Sequence, residues 1–241
     1  VRKTSGTHER QPRHPRRLDL AEGHRTSSHN AALGVITISR QYASGGSDIA
    51  RMVTERLGWT IVDDEFIDRV AKRIGLPPEE VAQREERVPS LIERLANTLA
   101  VSSPELFLAT SDISPESRQS TDDIVRMTEA VIQEAADHGN VVLVGRGSQA
   151  KLDHRDDTLH ARIVAPRDTR IRAACKRLNV ETKEAERIVD MRDNERRDYV
   201  RTHYQRDWDD AANYHIIVNS ALVSYEGAVD LIVQAAEKVC R

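Results

Sequence analysis

The stretch Val35-Ile36-Thr37-Ile38-Ser39-Arg40-Gln41-Tyr42-Ala43-Ser44-Gly45-Gly46-Ser47 decides the fold. It opens on a β-branched run typical of a buried strand. Gly45-Gly46 follows, and Ile49, Met52, Val53 and Leu57 then recur at helical spacing until Gly58 closes the helix. Trp59-Thr60-Ile61-Val62-Asp63 reads as a second strand. Strand, glycine turn, helix, strand is the βαβ unit of a parallel sheet. Such a sheet binds ligands just past the carboxyl end of its strands. There, glycines let backbone N–H groups approach a phosphate, and the helix that follows points its positive end at the same spot.

Further along, the alternation continues. Residues 64–138 read as a mainly helical insert. In it Phe66, Ile67, Val70 and Ile74 form one stripe, and Pro77-Pro78 break it. Ser90-x-x-Glu93 resembles a capping box, residues 101–120 read as a Ser/Pro-rich loop, and Thr121 to His138 as an amphipathic helix. Asn140–Val144, Leu159–Ala165 and His215–Asn219 read as strands; Asp168–Leu178, Lys183 to about Arg201 and Tyr225–Val239 read as helices. The fold expected is α/β: a three-layer, five-stranded parallel sheet flanked by helices.

Composition agrees. Of the 241 residues 39% are hydrophobic but only 4% aromatic, so the core must be aliphatic, as suits buried parallel strands. Residues 1–34 carry seven Lys/Arg and three Asp/Glu, a net +4 against −7 for the remainder. Residues 1–33 therefore read as a disordered basic tail, solvated rather than bound to nucleic acid. Cys175 and Cys240 lack metal-ligand spacing and read as reduced thiols. No apolar run approaches the ~18 residues of a membrane span, and no hydrophobic leader is seen. A cytoplasmic, soluble protein without a membrane partner is expected; oligomeric state is not legible.

Against the phosphate-loop pattern G-x-x-x-x-G-K-[ST], Arg40 stands at the first Gly and Gly46 at the Lys; only Gly45 and Ser47 agree. A strand–Gly–Gly–helix turn without a phosphate role is the competing reading of this segment alone. Gly145-Arg146-Gly147 places a second arginine after an apolar strand, where it suits a phosphate or the edge of a pyrimidine. Residues 192–201 hold four arginines, either a salt-bridged solvent helix or a phosphate-facing one. Asp193 is one turn before Arg197 and is expected to pair with it.

From Gly34 to Leu231 the chain resembles the cytidylate-kinase-like family, a branch of the P-loop nucleoside monophosphate kinases. The residues that carry the resemblance are Ile38 to Gly46, Leu57-Gly58-Trp59 with Asp63, Gly145-Arg146-Gly147, Arg196-Arg197-Asp198-Tyr199, Trp208, and Asn213-Tyr214 before Asn219. A loop without the lysine is usual in that family.

The resemblance implies ATP-dependent phosphoryl transfer to a small phosphorylated acceptor, most readily CMP or dCMP. Gln41, Tyr42, Ala43, Ser44, Gly45, Gly46 and Ser47 would cradle ATP phosphates, and the Ser47 hydroxyl would meet Mg²⁺. Asp63, Arg69, Arg146 and Asp198 would serve the acceptor. Arg197 and Arg201, in an R-D-x-x-R arrangement within a lid at about 190–212, would close on the transferring group; Arg192 is a further match. Gly147 stands where the family has Asp, and Val144 where a magnesium-organising Asp often precedes the Gly. The charge lost with the lysine must come from elsewhere, with Arg40 the expected main substitute. Two alternatives remain: a nucleotide-binding regulatory module with little kinase activity, and a kinase of a non-nucleotide small molecule.

Overall fold

The computed structural model describes residues 34–63, 66 and 121–240. The expected tail, Arg69, the capping box at Ser90 and the loop at 101–120 lie outside the described residues. The strands are β1 (Val35–Arg40), β2 (Thr60–Val62), β3 (Val141–Val144), β4 (Thr158–Val164) and β5 (Ile216–Asn219). The helices are α1 (Gly46–Leu57), α2 (Thr121–His138), α3 (Ser148–Lys151), α4 (Arg167–Leu178), α5 (Thr182–Tyr204) and α6 (Tyr225–Val239). All five expected strands form within a residue or two of their expected ends. The one-turn α3 and a 3₁₀ turn at Ala211–Asn213 are additions, too short to leave a periodic signal.

The strands make one parallel sheet in the order β2-β3-β1-β4-β5. Central β1 pairs with β3 through Val35↔Val141 and with β4 through Val35↔Thr158. The chain leaves β1 toward β2 on one side and β4 toward β5 on the other. The strand order therefore reverses between β1 and β4, where a parallel sheet opens a crevice at its carboxyl edge.

Alternation along β1 sends its side chains to two different layers. Ile36 and Ile38 pack with Ile49 and Val53 of α1 and Val229 and Ile232 of α6, all essentially inaccessible. Val35 faces the other way, onto Val131 and Ile132 of α2 and Leu152. Further along that second face the sheet turns polar, with Thr37, Ser39, His160 and Arg162 all buried. Buried polar groups need partners, and these lead into the site.

Candidate functional site

After β1 the chain makes a tight turn. Ala43 and Gly45 take left-handed backbone, φ 60° and 78°. At Gly45 glycine is required twice over, because a Cβ would also sit 2.1 Å from the Tyr225 hydroxyl. The turn is fixed from below. Gln41 N–H donates to the Ile163 carbonyl at 3.0 Å, and Ala165 N–H donates to the Gln41 side-chain oxygen at 3.1 Å. The Ser44 hydroxyl donates to the Gln41 carbonyl, and the Ser220 hydroxyl to the Ser44 carbonyl. α1 then begins with no side-chain cap. Its first N–H groups are thus offered outward, into a cavity of about 520 Å³ that Gln41 through Asp48 line. Ser44 is buried and spent on the turn, whereas Ser47 is exposed on the cavity wall.

A buried ion pair clamps the loop from the side. Asp193 of α5 accepts the Tyr42 N–H at 2.7 Å through one oxygen and pairs with Arg170 of α4 at 2.6 Å through the other. Arg170 also donates to the Tyr42 carbonyl at 3.2 Å. Both charged residues are 6% exposed, so the pair is shielded from water and salt. This corrects the expected Asp193–Arg197 pairing: Asp193 turns inward, and Arg197 instead pairs with Asp209 at 2.7 Å. The base of α5 is accordingly part of the core, with Val189 and Ala185 packed on Ile171 and Ala174.

Arg40, the last residue of β1, crosses the site. A Cβ at Gly46 would sit 2.4 Å from the Arg40 Cβ, and a Cβ at Gly145 would sit 1.8 Å from an Arg40 guanidinium nitrogen. The side chain therefore runs from the loop, past α1, to the turn after β3. Beyond it is a second cavity, of about 270 Å³, over Ser39, Arg146 and Trp208. Arg40 and Arg196 line both cavities. Arg196 also donates to the Arg40 carbonyl at 3.0 Å.

The residues singled out from sequence distribute as follows. Gln41 through Ser47 surround the first cavity, Arg146 lines the second, and Arg40 stands between them. Asp63 accepts the Phe66 N–H at 2.9 Å, a capping contact, and lines neither cavity. Arg201 and Asp198 pair with each other at 2.7 Å on the outer surface of α5. The arginines that reach the cavities are Arg192 and Arg196. Five residues advance a helix by about 140° beyond one full turn, so these two occupy a different face from Arg197 and Arg201. A signal for them existed: Arg192-Asp193-Asn194-Glu195-Arg196 is itself R-D-x-x-R, directly before the later one. Lys176 and Arg177 of α4, which add charge to the first cavity, had no motif to mark them.

Under the second cavity the polar face of the sheet is knitted together. Trp208 Nε1–H donates to the Ser39 hydroxyl at 2.9 Å, and the Arg162 guanidinium lies 4.1 Å from the Trp208 ring. Arg162 donates to the Trp208 carbonyl and to the Tyr214 hydroxyl and pairs with Asp209. Burial works against the Asp209 carboxylate, but hydrogen bonds from Arg197 and Arg162 outweigh it and hold its pKa below the usual range. Arg197 thus fastens the segment that carries Trp208. Gly147 also has a local reason: its φ is 67°, and a Cβ would sit 2.3 Å from the Tyr204 ring. The acid expected at that position from family resemblance is replaced by space for an aromatic ring.

Comparison with solved structures finds the same fold in an uncharacterized protein from Eubacterium ventriosum, with a TM-score of 0.62 at 21% identity over 86% of this chain and 99% of that one. Shikimate kinase from Bacteroides thetaiotaomicron matches with a TM-score of 0.43 at 11% identity, over 85% of this chain and 97% of its own. A gluconokinase from Sinorhizobium meliloti matches with a TM-score of 0.41 at 13% identity, over 86% and 95%. A search of curated proteins finds no match. No helix among the described residues is long and apolar enough to cross a membrane. Residues 35–222, which include the loop, Arg146 and the whole of α5, match the cytidylate kinase-like family, and the chain belongs to it.

Proposed function

We propose that this chain transfers the γ-phosphoryl group of ATP to a nucleoside monophosphate, CMP or dCMP. The observation that carries the reading is the shared wall of the two cavities. One cavity lies at an uncapped helix N-terminus, the other at Arg146, and Arg40 and Arg196 face both. Phosphoryl transfer asks a protein mainly for positioning and for charge where the phosphoryl group moves. Two guanidinium groups between a donor and an acceptor phosphate supply that charge.

In this arrangement the N–H groups at the start of α1 hold the donor phosphates, Arg40 takes the place of the missing lysine, and Arg192 and Arg196 neutralise the transferring group. Arg146 holds the acceptor phosphate. The exposed Ser47 hydroxyl fits as one oxygen ligand for Mg²⁺, whose remaining ligands would be phosphate oxygens and water. Bound with ATP, Mg²⁺ supplies Lewis-acid charge to the phosphate oxygens. Asp63, spent on capping the chain at Phe66, and the outward Arg201–Asp198 pair are assigned no contact with the reacting groups.

A coupled assay of ADP release with CMP, dCMP, UMP, AMP and GMP tests the reading. Turnover with a pyrimidine monophosphate is expected. Folded protein that binds ATP yet turns over none of the five sinks it. That result favours the second reading, a nucleotide-binding regulatory module, toward which Val144 and Gly147 point by leaving two expected acidic positions without acid.

A further inference from the structure

Ser39, the residue before Arg40 on β1, is 3% exposed and lines the second cavity. Among the described residues two groups reach its hydroxyl oxygen. The Trp208 Nε1–H donates to it at 2.9 Å, and the Tyr214 hydroxyl lies 3.4 Å away. An indole N–H can only donate, so Ser39 is the acceptor in the first contact. The second is longer than the roughly 2.5–3.0 Å of an O–H···O bond. Tyr214 moreover gives its proton to the Trp208 carbonyl at 2.8 Å. Ser39 therefore accepts once, and its own proton has no close acceptor in the protein. The indole is firmly held. Arg162, itself 3% exposed, lies 4.1 Å from the Trp208 ring, donates to the Trp208 carbonyl and pairs with Asp209, which Arg197 also holds. A buried guanidinium is costly to keep, and this one spends its contacts on Trp208 and the residues that flank it.

We infer that the Ser39 hydroxyl donates its proton to a phosphate oxygen of the acceptor, and that Trp208 aims it. This rests on the proposed monophosphate kinase reading. A serine hydroxyl can turn to accept or to donate. With one lone pair taken by the indole N–H, the turn that offers a proton to the cavity is favoured. A hydroxyl that accepts one hydrogen bond is also polarised into a stronger donor. The wall it shares tells what it meets. Arg40, Arg146, Arg192 and Arg196 are all donors, and Glu195 is already paired with Arg192 at 3.0 Å. A group met by four guanidinium groups and one hydroxyl proton is an anion with several oxygens, as a phosphate is. The arginines supply charge, and Ser39 supplies direction from the rigid end of the central strand. Ser39 touches the acceptor; Trp208 acts through it, as a positioning residue.

The test is titration calorimetry of the full chain with CMP and, separately, with ATP. It compares wild type with Ser39→Ala, Trp208→Phe and the double variant. Ser39→Ala should weaken CMP by about tenfold or more, as loss of a hydrogen bond to a charged group does. It should leave ATP within about twofold, since Ser39 does not line the donor cavity. Trp208→Phe keeps an aromatic ring but deletes the N–H, and should weaken CMP by about three- to tenfold. Added to Ser39→Ala it should weaken CMP by no more than about twofold further, because no hydroxyl remains for the indole to aim. A CMP affinity unmoved by Ser39→Ala, an equal loss for ATP, additive losses in the double variant, or no binding of CMP by wild type overturns the inference. If Trp208→Phe does not fold, the split between CMP and ATP in Ser39→Ala decides alone. Binding does not need transfer. A chain that shows the expected pattern but makes no CDP sinks the kinase reading and keeps this one. A chain that makes CDP, with CMP affinity indifferent to Ser39→Ala, does the reverse.

Discussion

A Cβ at position 46 would lie 2.4 Å from the Cβ of Arg40. Both atoms are fixed to backbone, so neither can swing away, and the glycine at 46 and the arginine at 40 are one structural choice. The usual phosphate-loop pattern makes the opposite choice at the same two positions, glycine first and lysine later. A lysine at 46 is therefore at odds with any side chain at 40.

Exchanging the pair tests that statement. Arg40→Gly is expected to weaken ATP binding by about ten- to a hundredfold, the worth of one charge-assisted contact. Gly46→Lys alone should cost about 1–3 kcal/mol of stability by overpacking. Arg40→Gly with Gly46→Lys removes the clash and restores a cation, and should bind ATP better than either single variant. A double-mutant cycle in ATP affinity that proved additive would refute the coupling.

The two arginine faces of α5 make separate predictions. Arg196→Ala should lower kcat by about a hundredfold or more, as loss of a transition-state donor does, and Arg192→Ala should lower it in the same direction. Arg201→Ala should leave kcat within about twofold, because an exposed pair is worth at most about 1 kcal/mol. Arg197→Ala should act chiefly on stability, since it releases Asp209 and with it one support of Arg162. Steady-state kinetics beside urea denaturation separates these outcomes.

These predictions follow the line between what the sequence made legible and what it hid. The strands were legible as short apolar runs rich in Val and Ile, and α1 because Ile49, Val53 and Leu57 keep helical spacing up to Gly58. The loop was legible by its place after β1, although half its defining residues differ. Which face of α5 turns inward was not legible. Two R-D-x-x-R runs follow one another there, and local spacing fits both. The choice is made by a contact 151 residues away in sequence, Asp193 on the Tyr42 amide. Gly147 was likewise opaque, since its reason is the Tyr204 ring at the far end of α5.

The Asp193–Arg170 pair should prove costly to break. Removing one partner of a buried pair leaves an uncompensated charge, typically about 3–5 kcal/mol. Asp193→Asn can still accept the Tyr42 N–H but leaves Arg170 unpaired, so it should lose stability of that order while largely keeping the loop. Asp193→Ala should lose both and also raise the KM for ATP. Thermal unfolding in the presence and absence of ATP checks this. Equal ATP affinity in both variants would show that the contact with Tyr42 does not shape the loop.

His160 gives the chain a pH dependence of definite sign. The ring is buried on the polar face of the sheet, its Nδ1 within 2.8 Å of the Thr37 hydroxyl, and it stacks on His215 at 5.1 Å. Burial first, and then repulsion from His215, pull its pKa down to about 4 from an ordinary 6.5; Asp153 opposes this, and Arg206 adds to it. Above pH 6.5 the ring is neutral folded or unfolded and contributes nothing to pH dependence. As pH falls below 6.5 the unfolded chain takes up a proton that the folded chain refuses. Stability should therefore drop by up to about 3 kcal/mol by pH 4, below which the folded ring also protonates and the loss levels off. His160→Asn, which keeps a polar partner for Thr37 but cannot titrate, should lose correspondingly less between pH 6.5 and 4. Urea denaturation of both proteins across that range measures the difference; parallel curves would mean that His160 is protonated in the folded protein as readily as in the unfolded one.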